Sequence, residues 1–199
     1  PDARRDVLEH CVRRFEERRD ELALALCIEA GKPIHDAQGE VTRLIDTFRI
    51  AAGEATRIGG EVLELGISAR TRGYRGMTRR MPVGACSFIT PFNVPLNLIA
   101  HKVAPAIATN NRIVLKPSEK TPMSAYTLAD ILYEAGLPPE MLSVVTGDPR
   151  EIADEMLTHA DVDLVTFTGG VAVGNAIAAK AVYKRQILEL GGNDPISVM

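Results

Sequence analysis

Thr166-Phe167-Thr168-Gly169-Gly170-Val171-Ala172-Val173-Gly174 reads as a strand that runs into two glycines and opens a helix. Backbone N–H groups at such a helix start form a natural phosphate site, and glycines there let an anion approach the main chain. The spacing is not that of GxGxxG, so the segment taken alone is equally a tight strand-to-helix turn. Its surroundings decide the fold. From Val83 onward, apolar runs of strand length at Gly84–Ile89, Arg112–Leu115, Leu142–Val145, Leu164–Phe167 and Gln186–Leu188 alternate with helical segments at 95–109, 122–135, 149–158 and 171–183. That alternation predicts an α/β fold with a doubly wound parallel sheet, whose ligands bind beyond the carboxyl ends of the strands.

Upstream the pattern is helical. Val7, Leu8, Cys11, Val12 and Phe15 recur at helical spacing within 2–30, with the charged stretch Glu16–Glu21 as a joint and Gly31-Lys32-Pro33 as the stop. A third helix is expected over 34–58, ended by Gly59-Gly60. Residues 61–82 are short, Gly-broken and Arg-rich, which predicts a protruding hairpin that needs a partner along its edge.

Composition narrows the function classes. With 199 residues, 46% hydrophobic, 25% charged and a net charge of −3, the chain is of ordinary globular make-up with no basic field for nucleic acid. The basic cluster Arg70–Arg80 has only Tyr74 for stacking and reads as a solvated strand or an oligomer contact. Three cysteines without CxxC spacing argue against a disulfide framework and a zinc site, and fit a reducing cytoplasm. His10, His35, His101 and His159 show no paired spacing, so no metal is expected; no apolar run is long enough for a membrane. The chain opens on Pro1 rather than Met, and both ends are expected to be cuts in a longer protein.

A ribose-binding acid is sought about twenty residues after a dinucleotide turn, which points to Glu189; Glu119, just after the strand that ends near Lys116, is the competing choice. An ammonium and a carboxylate at Lys116 and Glu119 can share two ribose hydroxyls as donor and acceptor, or form a plain surface ion pair.

Four segments in order decide between these readings: Thr90-Pro91-Phe92-Asn93-Val94-Pro95, Lys116-Pro117-Ser118-Glu119, Phe167-Thr168-Gly169-Gly170 and Glu189-Leu190-Gly191-Gly192. Together they resemble the cofactor half of the NAD(P)-dependent aldehyde dehydrogenase family, and the likeness runs over nearly the whole chain. The resemblance implies NAD, with NADP possible, as cofactor. Lys116 and Glu119 then hold the adenosine ribose, and Phe167, Thr168, Gly169 and Gly170 the pyrophosphate. Many relatives have Ser where this chain has Gly170, so one hydroxyl contact is lost. Further cofactor contacts are implied at Ile89, Thr90, Pro91, Ser118, Gly147 and Gly174, and the Leu190 carbonyl steadies the nicotinamide. Asn93 is implied as the oxyanion donor and Glu189 as the general base. The family's cysteine nucleophile lies beyond Met199, and Cys86, in an apolar strand, is expected to be inert; the chain by itself is expected to be inactive.

The resemblance divides the chain into N-terminal helices (1–60), an oligomerisation arm (61–82), the Rossmann-like NAD-binding domain (83–192) and the start of a catalytic domain (193–199). It implies a homo-oligomer, dimer or tetramer, acting on a small aldehyde, with no nucleic acid or membrane partner. Ile107–Arg112, Gly136–Pro139 and Val145–Glu155 resemble the phosphonoacetaldehyde dehydrogenase branch, although Val94 stands where that branch often has His. A CoA-acylating semialdehyde dehydrogenase and a non-catalytic nucleotide-binding or assembly module are the competing functions.

Overall fold

The structure, a computed structural model, describes residues 1–192, 195 and 196. Asn193, Asp194 and 197–199, within the stretch expected to open a further domain, lie outside the described residues.

Three helices come first: α1 (Asp2–Glu17), α2 (Arg19–Ala30) and α3 (Ile34–Ala55). The break between α1 and α2 falls at Arg18, inside the charged joint, and α2 stops where Gly31 takes the left-handed φ of 66°. Leu8, Cys11 and Phe15 form the buried stripe of α1, and the Phe15 ring meets Phe48 of α3 edge-on with centroids 4.9 Å apart. After α3 the chain forms an antiparallel ribbon of β1 (Val62–Glu64) and β2 (Arg75–Met77), exposed along most of its length.

The remainder alternates β3 (Ala85–Ile89), α4 (Pro95–Ala108), β4 (Arg112–Lys116), α5 (Met123–Glu134), β5 (Leu142–Val144), α6 (Pro149–Thr158), β6 (Val162–Thr168), α7 (Val171–Lys180) and β7 (Arg185–Glu189). The five strands are parallel, in the order β5-β4-β3-β6-β7. The chain therefore winds outward from β3, then returns to lay β6 on its other side, and the switch point lies between β3 and β6. Leu164 packs against the large core shared with α1–α5, whereas Val165 and Phe167 lie in a smaller core with Leu157, Ile177 and Ala181. Successive strand side chains face opposite ways, so the two cores cover opposite faces, as the expected doubly wound sheet requires. Boundaries shift in places. α7 ends at Lys180, short of 183, because Tyr183 takes a φ of 68° that no helix tolerates; β7 extends to Glu189.

The helix starts at the carboxyl edge differ in how their free N–H groups are met. Glu40 of α3 accepts from Leu96 and Asn97 at the start of α4, at 2.8 and 3.0 Å. Glu29 of α2 accepts from the Met123 and Ser124 amides at the start of α5 and from Ser124 Oγ at 2.5 Å. Asp148 caps α6 through Arg150 N–H at 2.9 Å. The start of α7 has no side-chain cap among the described residues.

Candidate active site

Three strand ends stand level at the switch point: Ile89 pairs with Phe167, Phe167 with Leu188, and Thr168 with Glu189. Beyond them, the 90–94 loop enters α4, Gly169-Gly170 enter α7, and Leu190 leaves β7. A cavity of about 810 Å³ opens there, and Asn93, Thr168, Glu189 and Leu190 all line it. Asn93 and Glu189, distant in sequence, thus share one cavity, and both are exposed.

Two cations in the wall of this cavity carry no signal that the sequence reading used. Lys102 lies on α4, only 8% exposed, and its Nζ donates to Thr166 Oγ1 at 2.8 Å. Burial pushes its pKa down to about 8, opposed by attraction to the Glu189 carboxylate. The available clue was an ionisable residue amid Ile99, Ala100, Val103 and Ala104, all fully buried. Arg43, on the exposed side of α3, reaches the same cavity and has no carboxylate partner among the described residues. Nothing in the helical pattern separates it from a solvated arginine. His101, between them, is held below its usual pKa by burial, with Arg43 and Lys102 adding repulsion.

A second corner lies at the end of β4. Lys116 is buried, and its ammonium donates to Glu119 and, at 3.2 Å, to the Pro117 carbonyl. Partial burial raises the Glu119 pKa, but the Lys116 ammonium outweighs it and the carboxyl sits below its ordinary value. Ser118 Oγ accepts from Lys120 N–H at 3.2 Å, and Gly147 follows β5 nearby in the exposed edge with φ 154°. Lys120 stacks over Phe92 at 4.4 Å, joining this corner to the Asn93 loop. Thr90 N–H donates to the Lys116 carbonyl at 3.2 Å, while Thr90 Oγ1 is buried with no hydrogen-bond partner among the described residues. Lys116 and Glu189 end strands three places apart, about 14 Å at the usual spacing, so Glu119 and Glu189 belong to opposite sides of the switch point.

The glycines divide by task. A Cβ on Gly169 would come 2.4 Å from the Phe167 ring, and one on Gly174 2.3 Å from Leu190 Cδ2. These two let a strand end and Leu190 lie against the α7 start. A Cβ on Gly170 would meet nothing within 4 Å, so the space in front of α7 is open. Phe167 is buried in the smaller core, Ile89 packs against it and Pro91 is half-buried.

The aldehyde dehydrogenase family model matches residues 1–199. The chain belongs to the aldehyde dehydrogenase family. It is 43% identical over 193 residues to a 3-sulfolactaldehyde dehydrogenase of Priestia aryabhattai, covering 97% of this chain and 40% of that protein. Aldehyde dehydrogenase 21 of Physcomitrella patens, in complex with the reaction product succinate, superposes with a TM-score of 0.93 at 46% identity, over 97% of this chain and 40% of that one. Glyceraldehyde-3-phosphate dehydrogenase of Methanocaldococcus jannaschii, complexed with NADP, gives 0.88 at 40% identity, over 96% and 41%. This aldehyde dehydrogenase segment thus spans about two fifths of the length of such relatives.

The cysteines of this aldehyde dehydrogenase segment stand away from Asn93 and Glu189. Cys11 is buried under α1 with its thiol pushed up to about 12 by burial. Cys86 borders the cavity, but it pairs with Leu164, four residues and about 13 Å below the level of Thr168. Burial raises its thiol to about 11, so it is not a thiolate near neutrality.

Lys102 gives a pH test. Its folded pKa of about 8 lies below the ordinary 10.5, so the unfolded chain holds more protons between these values and stability rises with pH across that window. In the full-length protein, Lys102→Met is expected to be more stable than wild type at pH 7, by up to about 3 kcal/mol, with the gap closing toward pH 10. Chemical denaturation at several pH values measures it. A variant less stable than wild type at pH 7 would overturn this expectation and mean that the bond to Thr166 and the attraction to Glu189 outweigh the cost of burying the ammonium.

Proposed function

We propose that the full-length protein oxidises a small aldehyde bearing an acid group to the carboxylate, with NAD+ and water, phosphonoacetaldehyde being one such substrate. The observation that carries this reading is the sharing of one cavity by Asn93, Glu189 and Leu190 at the carboxyl edge of the switch point.

The residues fit a dinucleotide. Among the described residues no side chain caps the first-turn N–H groups of α7, and a Cβ on Gly170 would meet open space, as a pyrophosphate requires. The buried, unpartnered Thr90 Oγ1 lies beside the Lys116 strand end, and Lys116 and Glu119 offer a donor and an acceptor for ribose hydroxyls. Thr168 and Gly169 would face the phosphates, and the Leu190 carbonyl the nicotinamide amide. Bound there, the cofactor supplies the hydride acceptor. The family's cysteine belongs to the remaining three fifths of the relatives' length. Its attack leaves negative charge on the aldehyde oxygen, and Asn93 donates an N–H to it. Glu189 later takes a proton from the water that hydrolyses the thioester. Lys102, near Glu189, balances that carboxylate's charge. A water-activating base at Glu189 speaks for hydrolysis over CoA acylation.

Arg43 favours an acid group on the substrate. It is a cation without a carboxylate partner among the described residues, in the cavity wall, and the sulfonate and carboxylate named for two relatives are both anions. With Val94 after Asn93, no imidazole is present there, and Arg43 takes the contact. The exposed β1–β2 ribbon is the surface through which copies would associate as dimer or tetramer, with the helices of 1–60 bracing the 83–192 nucleotide domain, in a reducing cytoplasm.

Three measurements on the full-length enzyme test these roles. Glu119 should favour NAD+ over NADP+, because its carboxylate repels a 2′-phosphate; in binding titrations Glu119→Gln should narrow the gap, and equal or tighter NADP+ binding by wild type would sink the idea. Glu189→Gln should keep the pre-steady-state burst of reduced cofactor and slow the steady state; loss of NAD+ binding instead would make Glu189 the ribose acid. Arg43→Gln should raise KM for phosphonoacetaldehyde or sulfoacetaldehyde by about 10- to 100-fold, the worth of a hydrogen bond to a charged group, while leaving acetaldehyde unaffected. An equal change for all three aldehydes would remove Arg43 from the substrate site.

A further inference from the structure

We propose that Glu40 is a positioning residue for the oxyanion contact of Asn93, acting through the first turn of α4; the proposal rests on the role given to Asn93 above. The first turn of a helix has amides without intrahelical acceptors. In α4 the first position is Pro95, which has no N–H, and Val94 before it has no side-chain acceptor. Leu98 N–H already reaches the Val94 carbonyl at 3.0 Å. The amides left over are those of Leu96 and Asn97, and both go to one oxygen of Glu40, at 2.8 and 3.0 Å.

Glu40 is a fixed point rather than a loose surface acid. It is 3% exposed, its other oxygen takes the Lys32 ammonium, and its helix is locked by the fully buried Ala37, Val41 and Leu44. Its charge sits at the positive end of the α4 dipole. From that anchor back to Asn93 the backbone has little freedom. Pro95 fixes its own φ and keeps Val94 out of the helical region; Val94 stands at φ −135° and ψ 66°. The two amides held by Glu40 therefore set the level and direction from which Asn93 leaves the helix. A shift of about 1 Å at a catalytic group can cost about 100-fold in rate, so a loosened turn should register in chemistry before it registers in fold.

A double-mutant cycle on the full-length enzyme separates positioning from general stability. The rates read are single-turnover aldehyde oxidation at saturating cofactor and acylation by p-nitrophenyl acetate without cofactor; both pass through an oxyanion at the Asn93 position. Glu40→Gln should lower both rates by about 10- to 100-fold, yet by less than about threefold once Asn93→Ala is present. Glu29→Gln, which removes the charge and one of the two acceptor oxygens at the start of α5, should show no such coupling to Asn93. If Glu40→Gln fails to fold, Glu40→Asp keeps the charge, withdraws it by one methylene and should give a smaller fall with the same coupling. Equal falls in both Asn93 backgrounds would overturn the proposal and leave Glu40 a structural cap. An Asn93→Ala variant with wild-type rates would instead overturn the Asn93 assignment itself.

Discussion

Unfilled N–H groups at helix starts are the constraint around which this edge of the molecule is organised. A doubly wound sheet points several helix N-termini at one rim, each a partial positive charge with unmet donors. Three of them are closed by carboxylates: Glu40 on α4, Glu29 on α5 and Asp148 on α6. Two of these acids come from α2 and α3, far upstream in the chain. The N-terminal helices thus do more than cover apolar surface. They deliver charge to the rim and fix the entry of the 90–94 and 117–122 loops.

Closing three starts leaves α7 as the one at this rim without a side-chain cap among the described residues. The glycines there follow the same logic. Gly169 and Gly174 clear room for Phe167 and Leu190, while Gly170 leaves open space. An anion approaching the rim meets carboxylates at every other start. Selectivity for where a phosphate group settles therefore comes from the filled sites as much as from the empty one.

Much of this was legible in the sequence, and the reason is local. Strand and helix alternation, the Gly31 stop and the 166–174 turn are short-range patterns, and the five-stranded parallel sheet followed from them. The cavity joining Asn93 to Glu189 was legible only through family resemblance, since no spacing rule links positions so far apart. Lys102 and Arg43 were missed for opposite reasons. Lys102 was hidden because a single lysine in an apolar helix reads as one that reaches out to water along its stem, whereas here the ammonium stays inside on Thr166. Arg43 was hidden because an exposed arginine is the commonest thing a helix surface carries. Glu40 was invisible as a cap because its partners lie on another helix, and capping rules read only neighbours in sequence.

The charges around the cavity are graded by exposure, and that grading has a chemical sense. Lys102 is buried, close enough to Glu189 to feel its charge, and held near the point of losing its proton. Arg43 lies on the exposed side of α3, always charged, in the wall of the same cavity. Of the two, Arg43 keeps its charge at any physiological pH, whereas the Lys102 ammonium is opposed by its burial and favoured by the nearby Glu189 carboxylate. The two cations are thereby separated onto α3 and α4, Arg43 exposed on one wall of the cavity and Lys102 buried in the other. The two helices hold that separation because Glu40 of α3 accepts both free amides of the first turn of α4, and the loop that carries Asn93 enters α4 at that same turn.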